Sequence, residues 1–343
     1  MVVGEQNQEI LQPWMPDSSL QEIDSLTVGL SKGFLRSRPQ AWFPGFASQW
    51  MPLFHSLGLE SKLLEVSPLK DLPQITAEWS VFEAQVDGES MGVCLDQSSA
   101  AVISNSVTPG ADSTTREISR EYMIRRLVGS LALSWSGGEA NVLFNPISKL
   151  ADSNYKAAIK LSCTISSVPL EIWFLLGSQL LSKLDNLWRA QLRSVGQTDV
   201  NLNHKIQVEL TQLAVPPSML ADYTRPGTLV DLEMPVEDRV FLRLDGSPWL
   251  PGRLCKCNSQ FVVKVISGPI PNRVIPSDSS RLSIDLGELT LSSLNLAESS
   301  QIGAVIATQI PVSNLGRMMI HETQAAQVEI GIYQGKFAVK VLG

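Results

Sequence analysis

The 343-residue chain has few of the residue types that build catalytic and metal sites. It contains three histidines and four cysteines, which are His55, His204, His321, Cys94, Cys163, Cys255 and Cys257. Metal and acid–base sites need several such groups converging on one point. We therefore expect no metal site, no cofactor and no catalytic residues.

Basic charge is also scarce. There are 27 Lys and Arg against 34 Asp and Glu, a net charge of −7, and no Lys/Arg cluster offsets it. Such a chain is repelled by the phosphates of nucleic acids and by anionic lipid, so we predict no nucleic-acid binding. The longest apolar run, residues 168–181, is short and interrupted by polar residues. It cannot span a bilayer, and we predict no direct membrane insertion.

Recognisable leader and nucleotide-binding motifs are missing. The first residues lack a basic region followed by an apolar one, so we expect no secretory signal and a cytoplasmic protein with free thiols. No Gly-x-x-x-x-Gly-Lys-Ser/Thr loop is present, and the text around Ser134 does not fit a nucleophile elbow. We interpret the close pair Cys255 and Cys257 as core packing, with redox or metal use as the alternative.

What the chain does contain is an internal repeat. The pattern of residues 337–342 repeats that of residues 261–266, 76 positions earlier. The same offset aligns Gly303 with Gly227, Pro311 with Pro235, Leu286 with Leu210 and Leu289 with Leu213. Apolar residues alternate with polar ones in short runs, which is typical of half-buried strands. The chain thus ends in two copies of one small β-rich module.

A module of about 65 residues buries little apolar surface alone. Pairing with another copy solves this, and an intertwined or domain-swapped pair is one low-cost way. We predict that the apolar strand residues form the core of the module, with a partner or module interface as the further possibility. These residues are Leu210, Leu213, Phe261, Val263, Val265, Leu286, Leu289, Phe337, Val339 and Val341.

The rest of the chain predicts an α+β fold, a mixed N-terminal domain followed by two small all-β modules. We place the N-terminal domain at residues 1–200 and the modules at 205–268 and 280–343. Asp87-Gly88, between apolar runs, predicts a hairpin. Cap-box patterns predict helices from Ser18 to about residue 31 and from Thr114 to about residue 135, and a third helix follows from Ser178.

The repeat resembles the SPOA (surface presentation of antigens) domain. The matching text is the alternating strand around Leu210 and Leu286, the apolar-Gly-apolar step at Gly227 and Gly303, and the terminal Phe-x-Val-Lys-Val strand. An N-terminal domain followed by two such modules is similar to the SctQ (YscQ, SpaO) family of type III secretion, which is related to flagellar FliM and FliN.

This resemblance implies a non-enzymatic scaffold in the sorting platform of a bacterial injectisome, held at the cytoplasmic face of the inner membrane. The implied partners are an SctL-like ATPase stator, an SctK-like adaptor, chaperone–effector complexes and a separately made C-terminal SPOA fragment of the same chain. The resemblance also implies that the chain forms homo- and hetero-oligomers. Such a fragment would start at Met234, inside the first repeat, or at a valine codon read as a start.

Two other functions stay open. One is a flagellar motor switch component. The presence of two fused modules in one chain favours the type III secretion family over this alternative. The other is a CheC-like phosphatase, for which the sequence shows no clear pairing of an acidic residue with asparagine. Residues 22–26 also resemble the FliM peptide that binds the regulator CheY, and they depart from it at Thr27.

Overall fold

The computed structural model describes residues 11–36, 46–136, 142–146, 154–194, 202–270 and 275–342. The chain divides into two compact units, one of Gly33–Ala190 and one of Met1–Lys32 with Gln191–Gly343. The division differs from the predicted domain of residues 1–200. The start of the chain groups with the repeats because its backbone pairs with their strands.

The first described segment contains three short elements, β1 (Gln12–Pro13), α1 (Pro16–Ser19) and α2 (Ser25–Leu30). The predicted continuous helix from Ser18 is wrong. The backbone is extended at Leu20, and α2 begins only after Asp24, whose carboxylate accepts a hydrogen bond from Thr27 N at 3.0 Å. Aspartate is a strong N-cap residue, and Asp24 fixes the helix start at Ser25, seven residues after Ser18.

The Gly33–Ala190 unit is a sheet with helices. Its elements are α3 (Met51–Ser56), β2 (Ser61–Leu69), β3 (Ser80–Val86), β4 (Glu89–Leu95), α4 (Gln97–Val107), α5 (Ser113–Ser136), β5 (Val142–Pro146), β6 (Tyr155–Ile165), β7 (Val168–Gly177) and α6 (Ser178–Ser194). Within the described residues, six antiparallel strands take the order β2-β6-β7-β4-β3-β5.

Two sequence predictions are confirmed in this unit. Val86 pairs with Glu89 across Asp87 and Gly88, which both have positive φ, as a tight hairpin requires. The helix predicted near Thr114 is α5. Its N-terminus is capped by Asp112 rather than by Thr114, through a 3.0 Å bond from Thr115 N.

The two repeats provide the strands of the second unit. The elements are β8 (Asn203–Val215), α7 (Leu220–Tyr223), β9 (Leu229–Pro235), β10 (Arg239–Leu244), β11 (Ser247–Cys257), β12 (Gln260–Val265), β13 (Ser280–Ser292), α8 (Ser293–Ser299), β14 (Val305–Pro311), β15 (Leu315–Ile320), β16 (Thr323–Tyr333) and β17 (Lys336–Val341). From β9 to β12, every strand begins and ends 76 residues before its counterpart, so the offset in the sequence is an offset in structure.

The repeats exchange strands. Among the described residues the order is β14-β12-β11-β10-β8-β13-β15-β16-β17-β9, with β1 added to β16. Thus β14 of the second repeat pairs with β12 of the first, and β9 of the first pairs with β17 of the second. The pairs Val263–Ile306 and Val339–Val230 are equivalent at the 76-residue offset. Neither repeat completes its sheet without the other.

The described residues therefore combine antiparallel sheets with helices, which is an α+β composition. None of the helices in the described ranges is both long enough and apolar enough to cross a membrane.

Candidate functional site

The residues predicted for the interface collect in one hydrophobic core that both repeats build. Nine of them are buried, namely Leu210, Leu213, Phe261, Val263, Val265, Leu286, Phe337, Val339 and Val341, and Leu289 packs against them half-buried. Alternation explains the arrangement, because every second residue of a strand faces the same side. Side chains this deep belong to the core that the two repeats share.

The centre of this core holds an aromatic side chain that comes from the start of the chain. Trp14 is 4% exposed. Its ring stacks on Phe261 at a centroid distance of 6.3 Å and meets Phe337 edge-on at 5.5 Å. The two phenylalanines are equivalent residues of the two repeats, so a single tryptophan contacts the same position in both copies.

We call residues 11–31 the N-terminal arm. The arm pairs with equivalent positions on both repeats. Gln12 and Pro13 pair with Ile332 and Gly331 of β16. Glu22 forms a bridge to Lys256 of β11, the position equivalent to Ile332. Ile23 N donates to Lys256 O at 2.8 Å. The arm runs antiparallel to one strand and parallel to the other, as a chain crossing a pseudo-two-fold axis must.

Further contacts fix the middle and the C-terminal end of the arm. Ile23 is buried with Cys255, Val262 and Val305. Near the end of the arm, Ser31 Oγ accepts a hydrogen bond from Val305 N at 2.9 Å. The arm was not expected from the sequence. Trp14 has no periodic apolar neighbours that would mark it as a core residue.

Gly331 makes the close approach of the arm possible. A Cβ at this position would lie 2.5 Å from Leu11 Cγ and 2.6 Å from Gln12 O, and one of these is backbone that cannot move easily. The equivalent residue of the first repeat is Cys255. A glycine in the second repeat alone therefore creates a place for β1 that the first repeat lacks.

Two acidic residues meet at the junction of the central strands β8 and β13. Glu209 and Asp285 are equivalent residues, they pair directly across the strands, and both are buried. Arg281 donates a hydrogen bond to Glu209 Oε2, and Arg243 Nε lies 3.9 Å from the same oxygen. Asp285 accepts a hydrogen bond from Ser283 Oγ at 3.3 Å.

Burial controls the protonation of this pair. It raises the pKa of Asp285 to about 7, helped by the charge of Glu209, while Arg317 and Arg281 act in the opposite direction. Burial also raises the pKa of Glu209 against the lowering effect of Arg281 and Arg243. Two carboxyl groups this close do not both ionise readily, because their like charges repel in a low-dielectric site.

A serine, a histidine and an aspartate meet at the edge between the repeats. His204 Nδ1 lies 2.7 Å from Asp245 Oδ2, and its Nε2 lies 3.0 Å from Ser293 Oγ. Hydrogen bonds from His204 and from Lys205 N lower the pKa of Asp245. The sequence separates these residues by 40 positions or more, so sequence reasoning did not find the cluster.

This cluster does not have the hydrogen bonding of a catalytic triad. Ser293 Oγ lies 3.1 Å from Leu202 O, to which it donates, and it accepts from Leu202 N at 3.2 Å. A serine hydroxyl has one hydrogen, and a nucleophile must direct it to the histidine. We interpret the cluster as a polar link between β8 and the start of α8.

The cysteines have no sign of reactivity. Cys94, Cys163 and Cys255 are buried, Cys257 is half-buried, and all four thiols are free. Burial raises the pKa of Cys94 and of Cys163 to about 12, and it also raises the pKa of Cys255. Since the thiolate is the reactive form, these sites favour the core-packing interpretation over the redox one.

Within the described ranges no group of three or more His, Cys, Asp or Glu side chains could hold a metal ion. His55 lies at the end of α3, and His321 lies in the turn between β15 and β16. Ser134 is a residue of α5 and not of a strand-to-helix turn. The predicted motif extends to Gly137 and Gly138, which lie outside the described residues.

A groove of about 820 Å³ lies in the Gly33–Ala190 unit between α4 and α5. Among its lining residues are Asn105 of α4 and Glu117, Arg120 and Glu121 of α5. Burial lowers the pKa of Arg120. The groove thus brings together an asparagine and two glutamates that lie apart in the sequence. Because its lining contains both acidic and basic side chains, it favours neither anionic nor cationic ligands.

Neither a scan of protein-family models nor a search of curated proteins finds a match to this chain. Among solved structures, the FliM middle domain of H. pylori is 12% identical, covers 47% of this chain and 99% of its own, with a TM-score of 0.35. FliY of Thermotoga maritima is 13% identical, covering 49% and 96%, with a TM-score of 0.32. CheX of Desulfovibrio desulfuricans is 11% identical, covering 39% and 98%, with a TM-score of 0.28. Likeness at this level carries no argument about function.

Proposed function

We propose that this chain is a non-enzymatic scaffold subunit of the SctQ type, in the sorting platform of a type III secretion injectisome. Its two C-terminal repeats act as a paired SPOA module. It works by assembly: it links the membrane-ring adaptor to the ATPase stator and recruits chaperone–effector complexes at the cytoplasmic face of the inner membrane.

The exchange of strands between the repeats carries this proposal. β9 completes the sheet of the second repeat and β14 that of the first, around a shared core that also takes up Trp14. A unit locked in this way offers rigid outer strands and turns for binding.

Co-purification with an SctL-like stator protein tests the proposal. We expect the full-length chain to retain the stator. Val339→Asp places a charge in the core and should abolish binding, because the paired repeats lose their fold. Lys340→Asp is the matched control on the exposed side of the same strand and should keep most of the binding.

Two results would count against the proposal. One is a wild-type chain that binds no stator. The other is a Val339→Asp chain whose repeats are unfolded and which nevertheless binds as well as wild type. If flagellar motor genes surround this gene and a motor protein is retained, the switch-component function takes its place.

The proposal also covers the separate C-terminal product. The second repeat alone lacks β9, which pairs with β17, and β8, which pairs with β13. In a pair of fragments of residues 275–343, β13 and β14 of each copy could take the places of β8 and β9 for the other copy. We expect that fragment to sediment as a dimer, and a stable monomer would contradict the exchange.

The groove beside α5 gives the phosphatase alternative a site, because it brings Asn105 together with Glu117 and Glu121. Incubation of the purified protein with a phosphorylated response regulator tests it. Dephosphorylation that Asn105→Ala removes would support the alternative, and an unchanged rate of phosphate loss would exclude it.

A further inference from the structure

We propose that the N-terminal arm is exchangeable, so that the arm of one copy docks on the repeats of a second copy and links copies head to tail. This inference stands on the contacts inside one unit. It does not depend on which secretion or motor apparatus the protein serves.

The repeats carry a receiving surface shaped for this arm. Gly331 leaves room for Leu11 and Gln12, which any Cβ would fill. Phe261 and Phe337 hold Trp14 from two sides. Lys256 Nζ lies 2.9 Å from Asp17 Oδ1 and pairs with it. The surface thus recognises an extended segment with an aromatic residue between two backbone pairing points.

The backbone pairing that attaches the arm is local, although Trp14, Leu20 and Ile23 are buried against the repeats. β1 is two residues long and lies off the main strand order, and the pairing of Glu22 with Lys256 is a single bridge. The other strands keep all their partners when the arm leaves. Exchange therefore costs the arm contacts alone, and an identical arm from another copy restores every one of them.

The arm and its receiving surface are different patches, present once in every copy. When each copy donates its arm to the next, the contacts between unlike patches are heterologous and build rings or open chains, whereas two copies that exchange arms mutually close a dimer. Addition of a strand from another chain to an exposed sheet position is a known mode of assembly. Where copies are held close together, the effective concentration of neighbouring arms rises, so that exchange competes better with docking within one chain.

Cross-linking between copies tests the exchange in the full-length protein. One copy carries Gln12→Cys and a first tag, and the other carries Ile332→Cys and a second tag. Both carry Cys257→Ser, because Cys257 is the one native cysteine that is not buried. Gln12 and Ile332 pair directly across β1 and β16, which brings their Cβ atoms within disulfide range.

After co-expression and mild oxidation, we expect a disulfide-linked dimer that contains both tags. The matched control pairs Gln12→Cys with Ser247→Cys, an exposed position at the start of β11. The dimer yield should exceed that of the control at least about tenfold, because docking raises the local thiol concentration.

A chain that carries both Gln12→Cys and Ile332→Cys reports docking within one copy. If this chain closes its internal disulfide while the two-tag dimer stays at the control level, the arm docks only on its own repeats and the proposal is overturned. If neither forms, the arm does not dock as described, which overturns it as well.

Discussion

Strands β12 and β17 occupy equivalent positions in the two repeats, yet they meet the same tryptophan ring at different angles. Phe261 of β12 stacks on Trp14 with an interplanar angle of 10°, and Phe337 of β17 meets the same ring at 88°. Each strand pairs with an outer strand of the other repeat. The duplicated core therefore fixes the same strand pairing in both repeats, while the N-terminal arm makes the two repeats different.

Equivalent residues also differ in their contacts elsewhere in the pair of repeats. Gly331 admits β1, whereas the equivalent Cys255 packs with Ile23 of the arm. Glu209 is hydrogen-bonded to an arginine, whereas the equivalent Asp285 is hydrogen-bonded to a serine. Two copies of one module can therefore share a core and still offer different surfaces.

The largest effect should come from a charge in the shared core. Val263→Asp in the first repeat and Val339→Asp in the second each bury an unpaired carboxylate at a fully buried position. We expect each to lower the free energy of unfolding of the paired repeats by more than about 4 kcal/mol. Urea unfolding followed by circular dichroism measures this.

The neighbouring lysines are the controls for this pair. Lys264→Asp and Lys340→Asp change exposed residues of the same two strands and should have small effects. If Val263→Asp and Val339→Asp differ strongly in effect, the equivalence of the two repeats in the core is refuted.

Removal of the tryptophan breaks the contact that both repeats share. Trp14→Ala should lower the free energy of unfolding by about 3–5 kcal/mol, because a large aromatic side chain leaves a cavity. Met15→Ala is the matched control, since Met15 is 62% exposed. Thermal unfolding of the two variants measures the difference, and an equal, small effect would mean that Trp14 does not pack between the phenylalanines.

Addition of one methyl group to the second repeat should detach β1. Gly331→Ala places a Cβ against Leu11 and Gln12, and we expect a loss of about 1–3 kcal/mol. Gly29→Ala is the control within the arm: nothing lies within 4 Å of its added Cβ, and a gain of up to about 1 kcal/mol is expected in a helix. Proteolysis at the arm would report the detachment.

The most gradual effect, which is spread over several pH units, separates the two carboxylates. The pKa of Asp285 is raised to about 7, so the folded protein holds this proton at pH values where the unfolded chain has lost it. The stability that this proton contributes is fully present below the unfolded pKa of 3.8 and is lost as the pH rises to about 7.

The free energy of unfolding should fall across that window by up to about 1.4 kcal/mol per pH unit. Asp285→Asn should reduce this slope to the part that the raised pKa of Glu209 contributes, while Asp231→Asn on β9 should leave it in place. Urea unfolding at several pH values compares the variants. A slope in the Asp285→Asn protein equal to that of wild type would show that Asp285 is not the titrating group.

Much of the repeat unit could be predicted from the sequence. The 76-residue offset marks the strands, and their alternation marks the core residues, because both features are local patterns. Binding of an outside partner depends on the exposed residues of the repeats, and the pattern of buried residues does not predict these.

The arm could not be predicted in this way. Trp14 meets Phe261 and Phe337 across hundreds of residues, and its own neighbours have no strand or helix period. Local rules also misplaced the caps: Ser18 and Thr114 fit a cap box, but Asp24 and Asp112 take the position instead. The Asp245–His204–Ser293 cluster is likewise a product of pairing between the repeats.

Hydrogen exchange on the Val263→Asp protein tests the central claim, that the two repeats fold as one strand-exchanged unit. The substitution lies in the first repeat alone. We expect the amides of β13 and of β15 to β17, all in the second repeat, to lose their protection together with those of the first. Wild-type protection in the second repeat of that variant would contradict the exchange of strands.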